Sequence, residues 1–245
     1  TLILLTLPLL SLVSSWYEEV PELEEIEEKM FPAAYPNIIE LSAGGSQTCV
    51  IIENGSVSCW GRIYMPLDEV PDQNQSTHIS DFGTLQIAND IATGSGHACA
   101  ILDDGTVACW GGNGNGQLGD ESGSDFRNTP SPIFSPFTFA TSISSGLAHT
   151  CIILDDGTVS CWGMNEYGAL GNAADDHDPP SQTSSLGTGR TAVSISAGAR
   201  HTCAILDNGS ISCWGYNSNG QLGDGTTTDR NTPTQTSSLG ENRTA

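Results

Sequence analysis

The dominant pattern in this chain is a pair of short runs, apolar and small residues intermixed, placed on either side of an Asx-Gly turn. It is clearest from His201 to Gly215 (HTCAILDNGSISCWG), and near-copies stand at Gln47–Gly61, His97–Gly111 and His149–Gly163. Each run predicts a strand and each pair a β-hairpin. A two-residue Asn-Gly loop would set Cys203 opposite Trp214. A three-residue loop, with Gly209 at positive φ, pairs Leu206 with Ser210, Ile205 with Ile211 and Cys203 with Cys213. One hairpin face then carries His201, Cys203, Ile205, Ile211 and Cys213, and the other Thr202, Ala204, Leu206, Ser212 and Trp214. Neither face is polar, so the sheet is expected to be covered on both sides, as in radially stacked propeller blades.

The eight cysteines, Cys49, Cys59, Cys99, Cys109, Cys151, Cys161, Cys203 and Cys213, all lie in these hairpins, ten positions apart within each copy. In the three-residue register they fall on a non-hydrogen-bonded pair, where Cα atoms approach to about 4.5 Å, within disulfide reach. Four disulfides are expected. The rival readings are reduced structural cysteines and a metal site, although zinc ligands usually sit two to four residues apart.

The cysteine positions recur at intervals of 50, 52 and 52 residues, a period that points to a propeller, solenoid or array. Each unit holds a strand entering Ala-Gly (Ile195 to Gly198), the hairpin, a Gly-Asn-rich turn and a Pro-Thr strand. That makes about four strands per blade, in units near 40–86, 87–139, 140–191 and 192–245. The expected fold class is all-β, a β-propeller of four-stranded blades.

The words Gly198-x-x-His201-Thr202, Asp207-x-Gly209, Trp214-Gly215-x-Asn217 and Gly220-Gln221-Leu222-Gly223-Asp224-Gly225 closely resemble the regulator of chromosome condensation repeat. They return at Trp110 to Asn113 with Gly116 to Gly119, and at Trp162 to Asn165 with Gly168 to Gly171. The resemblance covers residues 40–245 and implies a seven-bladed propeller, of which this chain would hold about four blades. Similar repeats occur in secreted β-lactamase inhibitor proteins. The first copy departs from the pattern: it has Gln47 in place of histidine, and Arg62 to Pro66 replace the Gly-Gln-Leu-Gly segment. The cysteine pair is absent from the family's chromatin-associated form. The final residues from Gln235 echo Gln182 to Ala192, where the chain runs on into another strand, so the sequence reads as a fragment whose open edges would promote self-association.

Ahead of the repeats, residues 1–15 read as the apolar core of a secretory signal segment truncated at its start, with a lipid anchor as the rival. Residues 16–39 read as an acidic linker. Export and disulfides support each other, because disulfides persist in oxidising compartments, and a secreted or cell-surface location is expected. The formal net charge of -22 repels phosphate backbones and anionic head groups. Nucleic acid is therefore not an expected partner, and the mature domain is not expected to insert in a membrane.

His97, His149 and His201, and the matching tryptophans, recur once per unit, and their simplest role is structural. No nucleophile motif, P-loop or dinucleotide fingerprint occurs, so neither enzyme activity nor a cofactor is expected. The Asx-Gly turns at Asn113 to Gly116 and Asn217 to Gly220 supply mostly amides, where calcium loops need several carboxylates at alternating spacing. Asp175, Asp176, His177 and Asp178 form the one dense set of potential metal ligands, and no metal site is assigned. Function is expected in what does not repeat. The candidate binding residues are Tyr64 in the odd first connection, Phe126, Phe134, Phe137 and Phe139 in a proline-stiffened connection, and Tyr167 and Tyr216 in blade loops. The expected role is a non-catalytic module that binds a protein or surface glycan. The alternatives are guanine-nucleotide exchange, suggested by the resemblance, and a lyase or hydrolase in the propeller channel.

Overall fold

The computed structural model describes residues 37–61, 77–79, 82, 86–133, 139–173 and 178–237. They form four antiparallel sheets of four strands, each following chain order. The first blade is β1 (Ile38–Gly44), β2 (Gln47–Ile52), β3 (Val57–Gly61) and β4 (Thr77–Ile79). The second is β5 (Ala88–Thr93), β6 (His97–Leu102), β7 (Val107–Gly112) and β8 (Phe126–Pro132). The third is β9 (Ala140–Ser145), β10 (His149–Leu154), β11 (Val159–Gly163) and β12 (Asp178–Gln182). The fourth is β13 (Ala192–Ala197), β14 (His201–Leu206), β15 (Ile211–Gly215) and β16 (Arg230–Gln235). The predicted signal segment lies outside the described residues, as does the acidic linker up to Pro36.

The hairpin register is the three-residue one. Cys203 pairs with Cys213 and Ile205 with Ile211, Leu206 N–H donates to Ser210 O over 2.8 Å, and Gly209 has φ 74°. All four disulfides form, each with a Cα separation of 4.1 Å.

Both hairpin faces are covered because each blade lends its cysteine face to the tryptophan face of the next. Cys99, Ile101, Val107 and Cys109 of the second blade share a core with Ile143, Ile152, Leu154 and Trp162 of the third. The same stacking joins the first blade to the second around Trp110, and the third to the fourth around Trp214. β6, β7, β10 and β11 are consequently buried on both faces. The outer faces of the end blades differ: Trp60 of the first blade is half-buried, and in β14 His201, Cys203 and Ile205 are half-buried while Thr202, Ala204 and Leu206 are buried. β1 leaves Ile38 and Leu41 more than half exposed.

Candidate binding face

Antiparallel blades put their turns at two opposite ends. The turns between first and second strands lie at one end, together with the long loops between third and fourth strands. The Asx-Gly turns lie at the other end. The first end is held rigid by one device repeated in blades. Asn217 is fully buried in its loop, where Oδ1 accepts the Leu222 N–H at 3.0 Å and Nδ2 donates to Thr228 O at 2.9 Å. Asn113 does the same with Leu118 N–H and Ser124 O. These asparagines thus scaffold the loop from within, and the leucines of the Gly-x-Leu-Gly segments, Leu118, Leu170 and Leu222, are fully buried beneath it. Asp224 completes the device with hydrogen bonds from Thr226, Arg230 and Asn217, which hold its carboxyl well below the usual range.

Below these loops the repeated histidine, threonine and tryptophan form one network between blades. His149 Nε2 lies 3.0 Å from Thr202 Oγ1, and the Thr202 hydroxyl donates to Ala169 O at 3.0 Å. A hydroxyl has one proton, so His149 must donate from Nε2 and is the neutral Nε2–H tautomer. Ala169 O also accepts Trp214 Nε1–H at 2.8 Å. His97, Thr150, Gln117 O and Trp162 repeat the arrangement one blade earlier. The histidine's partner is thus a hydroxyl of the next blade. Burial pushes His97 down to about 3 and His149 to about 4, with a neighbouring histidine adding to each shift. Both remain neutral in ordinary buffers and act as scaffold.

On the rim above this network, Tyr167 and Tyr216 meet edge-on with ring centroids 4.8 Å apart. Arg200 donates from Nη1 to Tyr167 Oη at 3.1 Å, and its guanidinium carbon lies 5.1 Å from the Tyr167 centroid. The other described arginines, Arg127, Arg190 and Arg230, are each paired with an aspartate. Arg200 has the tyrosine instead, and its charge is not cancelled by a carboxylate in any described ion pair. Leu147 N–H donates to Ala199 O beside Arg200, which joins this cluster to a neighbouring cavity of about 620 Å³ with Leu147, Met164, Gln117 and Asn115 in its wall.

The expected binding residues are only partly gathered. Tyr167 and Tyr216 come together. Phe126 opens β8, opposite Gly112, at the same end of its blade. Phe139 is at the other end, 51% exposed, with its ring over Gly105 of an Asx-Gly turn. Tyr64, Phe134 and Phe137 lie outside the described residues, as do Asp175, Asp176 and the Asp178 side chain. Arg200 and Leu147 were not anticipated. Their signal was present in the turn Gly-x-x-His, which reads Ser95-Gly96, Leu147-Ala148 and Ala199-Arg200 in successive units. Of the residues that vary there, Ser95, Leu147 and Ala199 are exposed and Arg200 is half-buried, while Ala148 is buried.

The family profile described as "Regulator of chromosome condensation (RCC1) repeat" matches residues 104–153, 156–205 and 208–245, and a second profile with that description matches 89–117, 140–169 and 192–221. The ultraviolet-B receptor UVR8 of Arabidopsis thaliana is 36% identical over 98 residues, 39% of this chain and 22% of the receptor. The E3 ubiquitin-protein ligase HERC2 of Homo sapiens is 31% identical over 196 residues, 78% of this chain and 4% of the ligase. The crystal structure of Kap60 bound to yeast RCC1 (Prp20) shares the fold with TM-score 0.71 at 22% identity, covering 84% of this chain and 50% of the solved one. This chain therefore spans half or less of the length of each of these proteins.

Proposed function

The chain belongs to the regulator of chromosome condensation (RCC1) repeat family, and from that premise we propose that it is an exported, non-catalytic binding module. The loop face around Tyr167, Arg200 and Tyr216 receives a protein or surface-glycan partner. The observation that carries this reading is the cluster itself. Two tyrosines and an arginine that forms no ion pair with a carboxylate among the described residues stand beside a cavity of mixed lining, with Leu147 and Met164 next to Asn115, Gln117 and Asp125. Tyrosine and arginine are the residue types enriched among those that dominate binding energy, and a rigid platform loses little entropy on association. Export is supported by the disulfides, which reducing compartments do not maintain. Prp20, which has the same fold, was crystallised with a protein partner.

The test compares faces. Material from the surface of the source cells is captured on the immobilised protein, and the bound component is titrated against variants. Tyr167→Ala, Arg200→Ala and Tyr216→Ala are each expected to weaken binding by ~30-fold, the scale of a ~2 kcal/mol hot spot. Asp156→Ala, in an exposed turn of the opposite face, is expected to leave it unchanged. Equal effects from both faces, or acceleration of nucleotide release from a small GTPase by the wild type, would overturn the reading.

A further inference from the structure

We propose that Asn54 and Asn208, at the tips of the first and fourth Asx-Gly turns, are acceptors for N-linked glycan. The four turns are built alike but not from the same residue. In the second and third blades Asp104 and Asp156 accept the backbone N–H and the hydroxyl of Thr106 and Thr158, at 2.6–2.9 Å. In the fourth blade Asn208 Oδ1 accepts Ser210 N–H at 3.0 Å and Ser210 Oγ–H at 2.7 Å. In the first, Asn54 Oδ1 accepts Ser56 N–H at 3.0 Å. The turn uses only one side-chain oxygen, which aspartate supplies equally well. The amide group is therefore not required by the fold.

What the amide adds is chemistry. Asn54-Gly55-Ser56 and Asn208-Gly209-Ser210 are Asn-x-Ser acceptor sequences, with a middle residue other than proline. Both asparagines are exposed, and no described residue accepts a hydrogen bond from either Nδ2. The turn bends each carboxamide back against the serine two residues on, the residue that defines the acceptor. In the transfer, Nδ2 attacks the anomeric carbon of a lipid-pyrophosphate-linked sugar and the N–C bond forms. The C–O bond to phosphate breaks, the pyrophosphate leaves with the electron pair, and the amide gives up one proton. Two further acceptor sequences, at Asn74 and Asn242, lie outside the described residues. Because every Asx-Gly turn lies at the end of its blade opposite the Tyr167 loops, glycans at these positions project away from the proposed binding face.

This inference rests on the proposed export, since the transfer occurs on exported chains. The test imposes that compartment. The chain is produced behind a cleaved leader in a eukaryotic secretory line, collected from the medium and mapped by mass spectrometry without reduction. Peptides containing Asn54 and Asn208 are expected to carry hexose and N-acetylhexosamine. Peptide N-glycosidase removes that mass and converts each asparagine to aspartate. Asn54→Asp and Asn208→Asp keep the turn, as Asp104 and Asp156 do, and each removes one glycan. Ser210→Thr retains it and Ser210→Ala loses it. Unmodified Asn54 or Asn208 in the secreted, folded protein overturns the assignment for that turn. The cysteines are read in the same digest: free thiols count against the disulfide argument for export and leave the glycan result to stand by itself.

Discussion

His149 donates from Nε2 to Oγ1 of Thr202 in the next blade, across 3.0 Å and out of contact with water. This bond ties two words of the repeat, Gly-x-x-His and His-Thr, into one contact that no single blade contains. Thr202→Val removes the acceptor and leaves a buried N–H unpaired, so the expected cost is about 1–3 kcal/mol, read from the denaturant midpoint. His201 is half-buried, and substituting it with glutamine is expected to cost less than the same change at His149.

Burying both imidazoles in neutral form has a consequence in acid. His97 and His149 have folded-state values near 3 and 4, below the ordinary 6.5 of an unfolded histidine. Their contribution is complete above pH 6.5 and is lost as pH falls, because the unfolded chain binds protons that the folded chain refuses. Each is expected to cost about 2 kcal/mol at pH 5. Urea midpoints at pH 7.5 and pH 5 test this, and a His149→Gln variant that remains folded should show a smaller drop. The carboxylate of Asp224, also held below its usual range, loses its contribution in the same direction but in a more acidic window, as it is protonated.

Tryptophan in the same repeat position differs in worth from blade to blade. Trp214 and Trp162 donate to carbonyls of the preceding blade's loop. Trp110 Nε1 is buried with no partner among the described residues, and it faces the blade in which Arg62 to Pro66 replace the Gly-Gln-Leu-Gly segment. Trp214→Phe is expected to cost about 1–3 kcal/mol more than Trp110→Phe, measured by equilibrium unfolding of the two variants.

Two glycines give an equally sharp contrast. A Cβ on Gly146 would sit 2.2 Å from His149 Cε1 and 2.4 Å from Gly198 O, whereas one on Gly114 meets nothing within 4 Å. Gly146→Ala is expected to lower the thermal midpoint by several degrees, on the order of 2 kcal/mol or more. Gly114→Ala is expected to change it little or raise it slightly.

Each disulfide closes a hairpin of sequence separation 10, and in the chain-entropy account such a loop is worth roughly 3 kcal/mol. Replacing Cys151 and Cys161 with alanine is expected to cost at least that, since both are fully buried in the core between the third and fourth blades. Comparing this pair with Cys203 and Cys213, where Cys203 is half-buried, separates the packing share from the cross-link share.

Much of this was legible locally. The alternation around Asp207-Asn208-Gly209, with glycine at positive φ, sets the hairpin register, and the register sets the cysteine pairing, because both depend on residues within a dozen positions of one another. The apolar character of both hairpin faces predicted cover on each side, which the hairpins of the second and third blades have. The binding face was less legible. Tyr167 and Arg200 are 33 residues apart, on a loop of one blade and a turn of the next. Phe139 looked equivalent in sequence, but an odd number of strands separates it from the tyrosines, three before Tyr167 and seven before Tyr216, and it emerges at the opposite end of the blade.

The sequence by itself determined the strands, the turns, the disulfides and the repeat, since these follow from short-range sterics and a period near 50 residues. Only the tertiary structure decided what the repeated histidine, threonine and tryptophan do. His149, Thr202 and Trp214 find their partners one blade away, some 33–53 positions along the chain, where packing, not local preference, chooses which hydroxyl and which carbonyl come within reach. The same stacking leaves Arg200 with an aromatic partner where the other described arginines have carboxylates, a choice made by the junction of two blades.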